Sequence, residues 1–313
     1  MLEKRKIIND ILGSSRRVND EHLFHCPYCG HHKRKMSINF AKNAFKCWVC
    51  DTRGKNIYRI VRKFGSYQQK QKWLKLDGRL DLSEFDNFFM QVNNEDMEET
   101  IDLPIEFISL CNKHLPLSSR RAFDYLYSRG VTKEDIMYWK IGYCEEGRYG
   151  GRVIIPSFNN DGNVNYFISR SYVNHKRKYL NPVASKDIVF NELYVDWDEP
   201  VVLVEGAFDA IVAGKNAIPV LGSTLRSESR LFQAIVINDT PVYLAFDEDA
   251  QKKTNYIIKK MLKYDIDVYL VDTSEVEDVG SMTYEQFNLR KNNAMLVDHD
   301  TLFYNRFLGG FIA

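Results

Sequence analysis

The chain has 313 residues, enough for two or three domains with cores of their own. Its apolar share of 44% excludes a globally disordered chain, and 43 basic against 42 acidic residues leave a net charge of +1, so bulk charge does not advertise a polyanionic partner. The start, Met1-Leu2-Glu3-Lys4-Arg5-Lys6, is charged, and no apolar run approaches the ~20 residues of a membrane helix, which predicts a cytoplasmic protein with reduced thiols and no membrane contact.

Residues 1–64 read as a small metal module behind a helical lead-in. Met36–Phe40 and Phe45–Val49 are short strand-like runs, and Ala41–Ala44 turns one into the other. Ile57–Val61 starts a closing helix. Basic residues crowd this part of the chain (Arg16, Arg17, Lys33, Arg34, Lys35, Lys42, Lys46, Arg53). A module of this size buries little apolar surface, so a bound metal would contribute to its folding. Residues 65–103 carry Glu95, Asp96, Glu98 and Glu99 and read as an acidic, partly helical linker, a solvated spacer rather than a site.

Residues 104–196 form a mixed α/β basic subdomain. Ala122–Leu126 fits a helix stopped near Gly130, and Thr132 with Asp135 starts the next. Val153–Pro156 and Val164–Ile168 flank Asn160-Asp161-Gly162, a hairpin turn. From 197 to 313 the pattern becomes strand–helix repeats. Val201–Val204, Val242–Phe246 and Asp267–Val271 are apolar strands with helices around Phe208–Ala213 and Asn255–Tyr264 between them, which predicts a buried, mostly parallel sheet followed by a C-terminal extension. The fold class is therefore α+β and multidomain: a β-rich zinc ribbon, a basic α/β subdomain and an α/β domain.

Two constellations carry chemistry. Cys26-Pro27-Tyr28-Cys29 and Cys47-Trp48-Val49-Cys50 are two C-x-x-C pairs at the spacing of one structural zinc shell. His25, His31 and His32 lie close enough to replace one thiolate. Cys111 and Cys144 have no partner at metal spacing and read as core residues. The second constellation is acidic. Glu205 follows the first apolar strand, Asp247 the second, and Asp278 comes after the third, so all fall at strand carboxyl ends, where α/β ligand sites form. Asp247 and Asp249 point the same way in an extended segment, and clustered carboxylates suit Mg²⁺ or Mn²⁺. A third group, Arg148, Arg152, Arg170, Tyr172, Lys176, Arg177, Lys178 and Tyr179, fits a phosphate-gripping, base-stacking surface and a solvated basic face equally well.

In this order, the residues resemble the DNA primases of the bacterial and bacteriophage DnaG type. Cys26-Pro27-Tyr28, Ser37-Ile38 and Phe45–Cys50 followed by Gly54 match that family's zinc-binding domain, with Cys29 where a histidine is usual. Gly151–Pro156, Asp161-Gly162, Ser169-Arg170 and Lys178–Asn181 are similar to its basic polymerase subdomain. Val204–Asp209, Leu221–Leu225, Asp247-Glu248-Asp249 and Glu277-Asp278 are similar to its Toprim core, with Glu248 in a place commonly held by glycine and Ala250-Gln251 where Ala-Gly is common. The resemblance implies that Arg152, Arg170, Lys178, Tyr179 and Asn181 bind template and nucleotide. It implies that Asp247, Asp249 and Asp278 hold the divalent cation, and that Asp209 is auxiliary. Glu205 is a metal ligand or a general acid/base. The expected activity is synthesis of short RNA primers on single-stranded DNA from ribonucleoside triphosphates, with a replicative helicase as partner. The zinc module would read the template, and Phe40, Phe45 or Trp48 would stack on bases. The chain's brevity suggests a phage-encoded, stand-alone enzyme. The alternatives are a Toprim nuclease and a non-catalytic recombination mediator similar to the RecR family, in which four cysteines lie much nearer the Toprim core.

Overall fold

The computed structural model describes residues 2–54, 56–77, 99–222, 225, 226, 228–247, 250–264, 266–276 and 278–297. Ser223, Thr224, Glu277, Glu248 and the expected ligand Asp249 lie outside them, as do Glu95, Asp96 and Glu98 of the acidic linker. The chain forms two compact units, Met1–Glu95 with Ile237–Asp239, and Asp96–Val236 with Thr240–Ala313.

In the first unit, helix α1 (Leu2–Leu12) precedes a five-stranded antiparallel sheet in chain order: β1 (Arg16–Val18), β2 (Glu21–Phe24), β3 (Met36–Asn39), β4 (Ala44–Cys47) and β5 (Arg53–Gly54). The expected hairpin is β3–β4, with Ile38 opposite Phe45, while β1, β2 and β5 extend it. Strand β1 is exposed along its length and carries two arginines, so no apolar alternation announces it in the sequence. Helices α2 (Tyr58–Phe64) and α3 (Tyr67–Asp77) follow, the latter opening the segment read as a partly helical linker. The core is larger than a bare zinc ribbon supplies. Ile7 and Ile8 of α1, Ile60 and Val61 of α2 and Trp73 of α3 are buried, as are Phe24, Met36 and Ile38 of the sheet.

The second unit holds two sheets. The first is antiparallel, in the order β6 (Ile108–Ser109), β7 (Gly142–Cys144), β8 (Arg152–Phe158) and β9 (Val164–Ser171). Helices α4 (Ser119–Ser128) and α5 (Lys133–Tyr138) lie between β6 and β7 in the chain. Helix α4 ends before Gly130, and α5 starts on the Thr132/Asp135 capping box. Strands β8 and β9 form the expected hairpin, packing Cys144, Tyr149, Ile154 and Phe167 against Ile101, Leu103, Phe107 and Leu180. Cys144 is a core residue as expected. Cys111 is not: it is exposed, because the chain has left β6 and runs along the surface toward α4.

At Gly142 the chain passes so close to its neighbours that a Cβ would sit 2.2 Å from the Phe107 ring and 2.6 Å from the Ile108 carbonyl oxygen. Gly142→Ala is therefore expected to destabilise this sheet by about 1–3 kcal/mol, the usual cost of overpacking, measurable as a lower urea midpoint.

The second sheet has the order β11-β10-β12-β13-β14. Its strands and helices alternate: β10 (Val201–Val204), α6 (Ala207–Ala213), β11 (Ala217–Pro219), α7 (Arg230–Asn238), β12 (Val242–Leu244), α8 (Gln251–Lys263), β13 (Val268–Leu270), α9 (Tyr284–Asn292) and β14 (Met295–Val297). Four strands are parallel and β14 is antiparallel. Strand β10 is buried throughout, as its unbroken apolar run requires. The chain leaves β10 to one side, making β11, then crosses back to make β12 on the other. The loops after β10 and β12 therefore part, opening a crevice at the carboxyl end of the sheet. Among the described residues no helix is long and apolar enough to cross a membrane.

Candidate functional site

The four cysteines of the first unit converge. Cys26 and Cys29 come from the turn after β2, Cys47 from the end of β4 and Cys50 from the turn after it. Their sulfurs all lie within 4.8 Å of one another, with Cys26 to Cys50 at 3.8 Å and Cys29 to Cys47 at 4.0 Å. Four thiolates around one zinc at ~2.3 Å lie about 3.8 Å apart, so the shell fits zinc. His25, His31 and His32 stand outside this cluster. Two cysteines are buried and two exposed, which divides their chemistry. Burial pushes the Cys26 thiol up to about 12, whereas the Thr52 hydroxyl and backbone hold the exposed Cys50 down to about 6. A buried thiol this reluctant to ionise needs a cation, and zinc supplies one. Of the expected stacking residues, Phe45 is a core side chain and Phe40 packs on His22, whereas Trp48 is 67% exposed with the Lys46 ammonium 4.8 Å from its ring centre.

The second unit carries the acidic site at its crevice. Glu205 leaves β10, and Asp247 leaves the neighbouring β12, whose register sets Leu203 beside Leu244. Helix α6 then starts at Gly206, and Asp209 in its first turn points back. The two Asp209 carboxylate oxygens accept from the Gly206 N–H at 2.8 Å and the Gly280 N–H at 2.9 Å. The second bond ties α6 to the 3-10 turn Val279–Ser281, which begins beside Asp278. Burial pushes the Asp209 carboxyl up to about 6, with Asp278 and Asp247 adding repulsion. Asp209 is thus a strut that also feels the cluster's charge. A Cβ on Gly280 would sit 2.8 Å from Asp209 Oδ1. Gly280→Ala is expected to break that bond and cost about 1–3 kcal/mol, read from denaturant unfolding.

A pocket of about 260 Å³ joins Asp209, Asp247 and Asp278 with Gly206, Phe208, Arg129, Arg170, Lys178 and Tyr179. The basic residues arrive through β9. Beyond it the chain folds back, with Ser171 N–H donating to the Lys178 carbonyl and Tyr179 bridging Arg170, so Lys178 and Tyr179 sit beside Arg170. The Arg170 guanidinium lies 4.5 Å from the Tyr179 ring centre, and its Nε donates to the Tyr125 hydroxyl at 3.2 Å.

Two residues expected in the groove are placed elsewhere. Arg152 is 3% exposed, and its guanidinium donates to the carbonyls of Arg177 and Lys178, so it holds the returning strand from behind instead of facing the pocket. The Asn181 side chain accepts from the Ser169 N–H, a structural bond on the same strand. Both were read from a basic or polar residue beside a strand, and spacing does not say which face it takes. Arg129, by contrast, lines the pocket without having been singled out. Its signal was its place four residues after Tyr125 on the same helix face.

A divalent cation fits this donor set. The ligands are hard oxygens, the carboxylates repel one another, and Glu205 Oε1 is buried with no hydrogen-bond partner among the described residues. The carboxylates do not close to the spacing of the cysteines; among the described residues only the four cysteines gather that tightly.

No protein-family profile matches the chain. Individual relatives do. Over 348 aligned residues it is 25% identical to a DNA primase of Thermotoga maritima, covering 93% of this chain and 60% of that protein. A DNA primase of Halalkalibacterium halodurans is 24% identical over 72% of this chain and 46% of its own length. The chain thus spans about half the length of the curated relatives it matches. Among solved structures, a DnaG primase catalytic domain bound to single-stranded DNA superposes with a TM-score of 0.53 at 21% identity, over 62% of this chain and 77% of that one. The E. coli primase catalytic core gives 0.51 at 20%, over 62% and 79%. By sequence over nearly its whole length, and by fold over most of it, the chain is a relative of the DnaG-type primases.

Proposed function

We propose that the chain is a DNA primase: a nucleotidyltransferase that builds short RNA primers on single-stranded DNA from ribonucleoside triphosphates. The observation that carries this is the single pocket in which three carboxylates face Arg170 and Lys178. Polymerisation needs both sides of such a pocket, one to hold a divalent cation and one to hold phosphates. Asp247 and Asp278 would hold Mg²⁺ or Mn²⁺, with Asp249 as a further ligand, and the cation when bound offsets phosphate charge and favours the attacking 3′-hydroxyl. Arg170 and Lys178 orient the triphosphate, and Tyr179, braced by Arg170, offers a ring edge to the nucleotide. Asp209 holds the loop before α6 and the loop at Asp278 in register. Glu205 either joins the cation shell or takes the hydroxyl proton.

The zinc module would read the template, with exposed Trp48 stacking on a base and the neighbouring lysines and arginines on phosphates. Residues 1–64 would form that module, 65–103 the linker, 104–196 the basic part of the polymerase and 197–313 the Toprim part. The working compartment would be the cytoplasm, of a bacterial host if the gene is a phage's, with a replicative helicase as partner. A nuclease or a recombination mediator has no use for Arg170 and Lys178 built opposite the carboxylates. Product analysis separates the readings: with single-stranded DNA, ribonucleotides, Mg²⁺ or Mn²⁺ and helicase, this proposal expects new RNA and intact DNA. Shortened DNA without RNA would indicate the nuclease, and binding alone the mediator.

A further inference from the structure

Arg129 stands immediately after α4, half-buried, and lines the pocket with the three carboxylates. Its guanidinium is held by two rings: its carbon lies 5.5 Å from the Tyr125 ring centre, four residues back on the helix, and 5.0 Å from that of Phe208, the residue before Asp209. The two rings meet edge to face, their centres 6.3 Å apart. Tyr125 also accepts a hydrogen bond from Arg170 through its hydroxyl, so one tyrosine fixes both arginines of the pocket, one by its ring face and one by its oxygen.

Ring contacts occupy the faces of a guanidinium and leave the N–H edges free to donate. Among the described residues, no carboxylate or carbonyl accepts from the Arg129 side chain. A half-buried arginine with five unspent donors, pre-oriented by rings beside a cation site, is built to take an anion. We infer that Arg129 is a third phosphate-binding residue of this pocket, gripping the triphosphate of the incoming nucleotide together with Arg170 and Lys178. The inference rests on the proposed polymerase reading for the identity of the nucleotide, but the phosphate site itself stands on geometry.

Two further observations fit. Phe208 sits next to Asp209, so the cation on Arg129 and the carboxylate strut are held by consecutive residues of one helix turn. Lys178 is exposed and flexible by chemistry, while Arg129 is clamped, so the pair would divide capture from orientation.

The test uses the full chain with zinc, and Arg129→Met, whose stem still covers the two rings. Binding of inorganic triphosphate with Mg²⁺ is measured by calorimetry, alongside KM and kcat for ribonucleotide incorporation. A charge-assisted phosphate contact predicts binding weakened about 10- to 100-fold in Arg129→Met, with KM raised in step and melting temperature within a few degrees of the parent. Unchanged triphosphate affinity in a folded variant overturns the inference and leaves Arg129 as a brace between α4 and α6. Should Arg129→Met melt early, Arg129→Gln, which keeps a planar head without the charge, carries the same two outcomes. Absence of RNA synthesis by the parent chain, with triphosphate binding that still depends on Arg129, would sink the polymerase reading and keep this one. RNA synthesis with KM and triphosphate binding indifferent to Arg129 would do the reverse.

Discussion

Asp247→Ala is expected to lower RNA synthesis by a factor of at least about 10²–10³, the loss seen when one preorganised charge-stabilising group is removed. Asp247 leaves β12 at the crevice and adds repulsion at Asp209, which burial already holds near 6. Removing it subtracts a charge from a crowded cluster, so the fold should lose nothing: the melting temperature in the absence of divalent cations should be unchanged or higher. That opposite movement of activity and stability distinguishes a functional carboxylate from a structural one. Steady-state incorporation of labelled ribonucleotide, paired with thermal unfolding, reads both. Equal losses in the two would mean that Asp247 holds the loop and not a cation.

The second large effect lies in the other unit. Cys47 is fully buried at the end of β4, where its N–H donates to the Thr52 carbonyl at 2.7 Å and its sulfur approaches Cys29. Cys47→Ser should abolish stoichiometric zinc and remove much of a metal contribution on the order of 10 kcal/mol, enough to unfold the sheet around it. The helical part of the core, Ile7, Ile8, Ile60, Val61 and Trp73, is independent of the metal and should keep residual helicity. Zinc content by atomic absorption and far-ultraviolet circular dichroism check this. Serine at the exposed Cys50 should be milder, since three thiolates stay in place. Full retention of zinc by Cys47→Ser would overturn the assignment of the shell.

Much of this was legible in the residues because the signals were dense. Two C-x-x-C pairs name their own geometry, and the structure brings all four sulfurs together. Val201–Val204 and Val242–Phe246 are unbroken apolar runs ending in carboxylates, which places the acidic residues at the carboxyl edge of a parallel sheet. The Thr132/Asp135 capping box and the Asn160-Asp161-Gly162 turn were equally local. What was not legible depended on tertiary direction. Arg152 and Arg170 look alike along their strands, yet one is sealed behind the return strand by carbonyls of Arg177 and Lys178 and the other opens into the pocket. Arg129 looked like a helix terminus until Phe208, nearly eighty residues away, proved to be its second ring. Strands β1 and β14 were missed because the first is wholly exposed and the second mostly so, without the alternation that marks a half-buried strand. Phe45 and Trp48, two aromatic residues three apart in the same turn region, went to the core and to solvent respectively.

The most direct test of the acidic-basic pocket as a polymerising site is unprimed RNA synthesis. The purified chain, loaded with zinc, is given circular single-stranded DNA, the four ribonucleotides and Mg²⁺ or Mn²⁺, with and without a replicative helicase, and products are resolved by length. Short RNA carrying a 5′-triphosphate, dependent on template and divalent cation and absent with Asp247→Ala, is the predicted result. Cleaved DNA with no RNA, or RNA made equally well by Asp247→Ala, would contradict it.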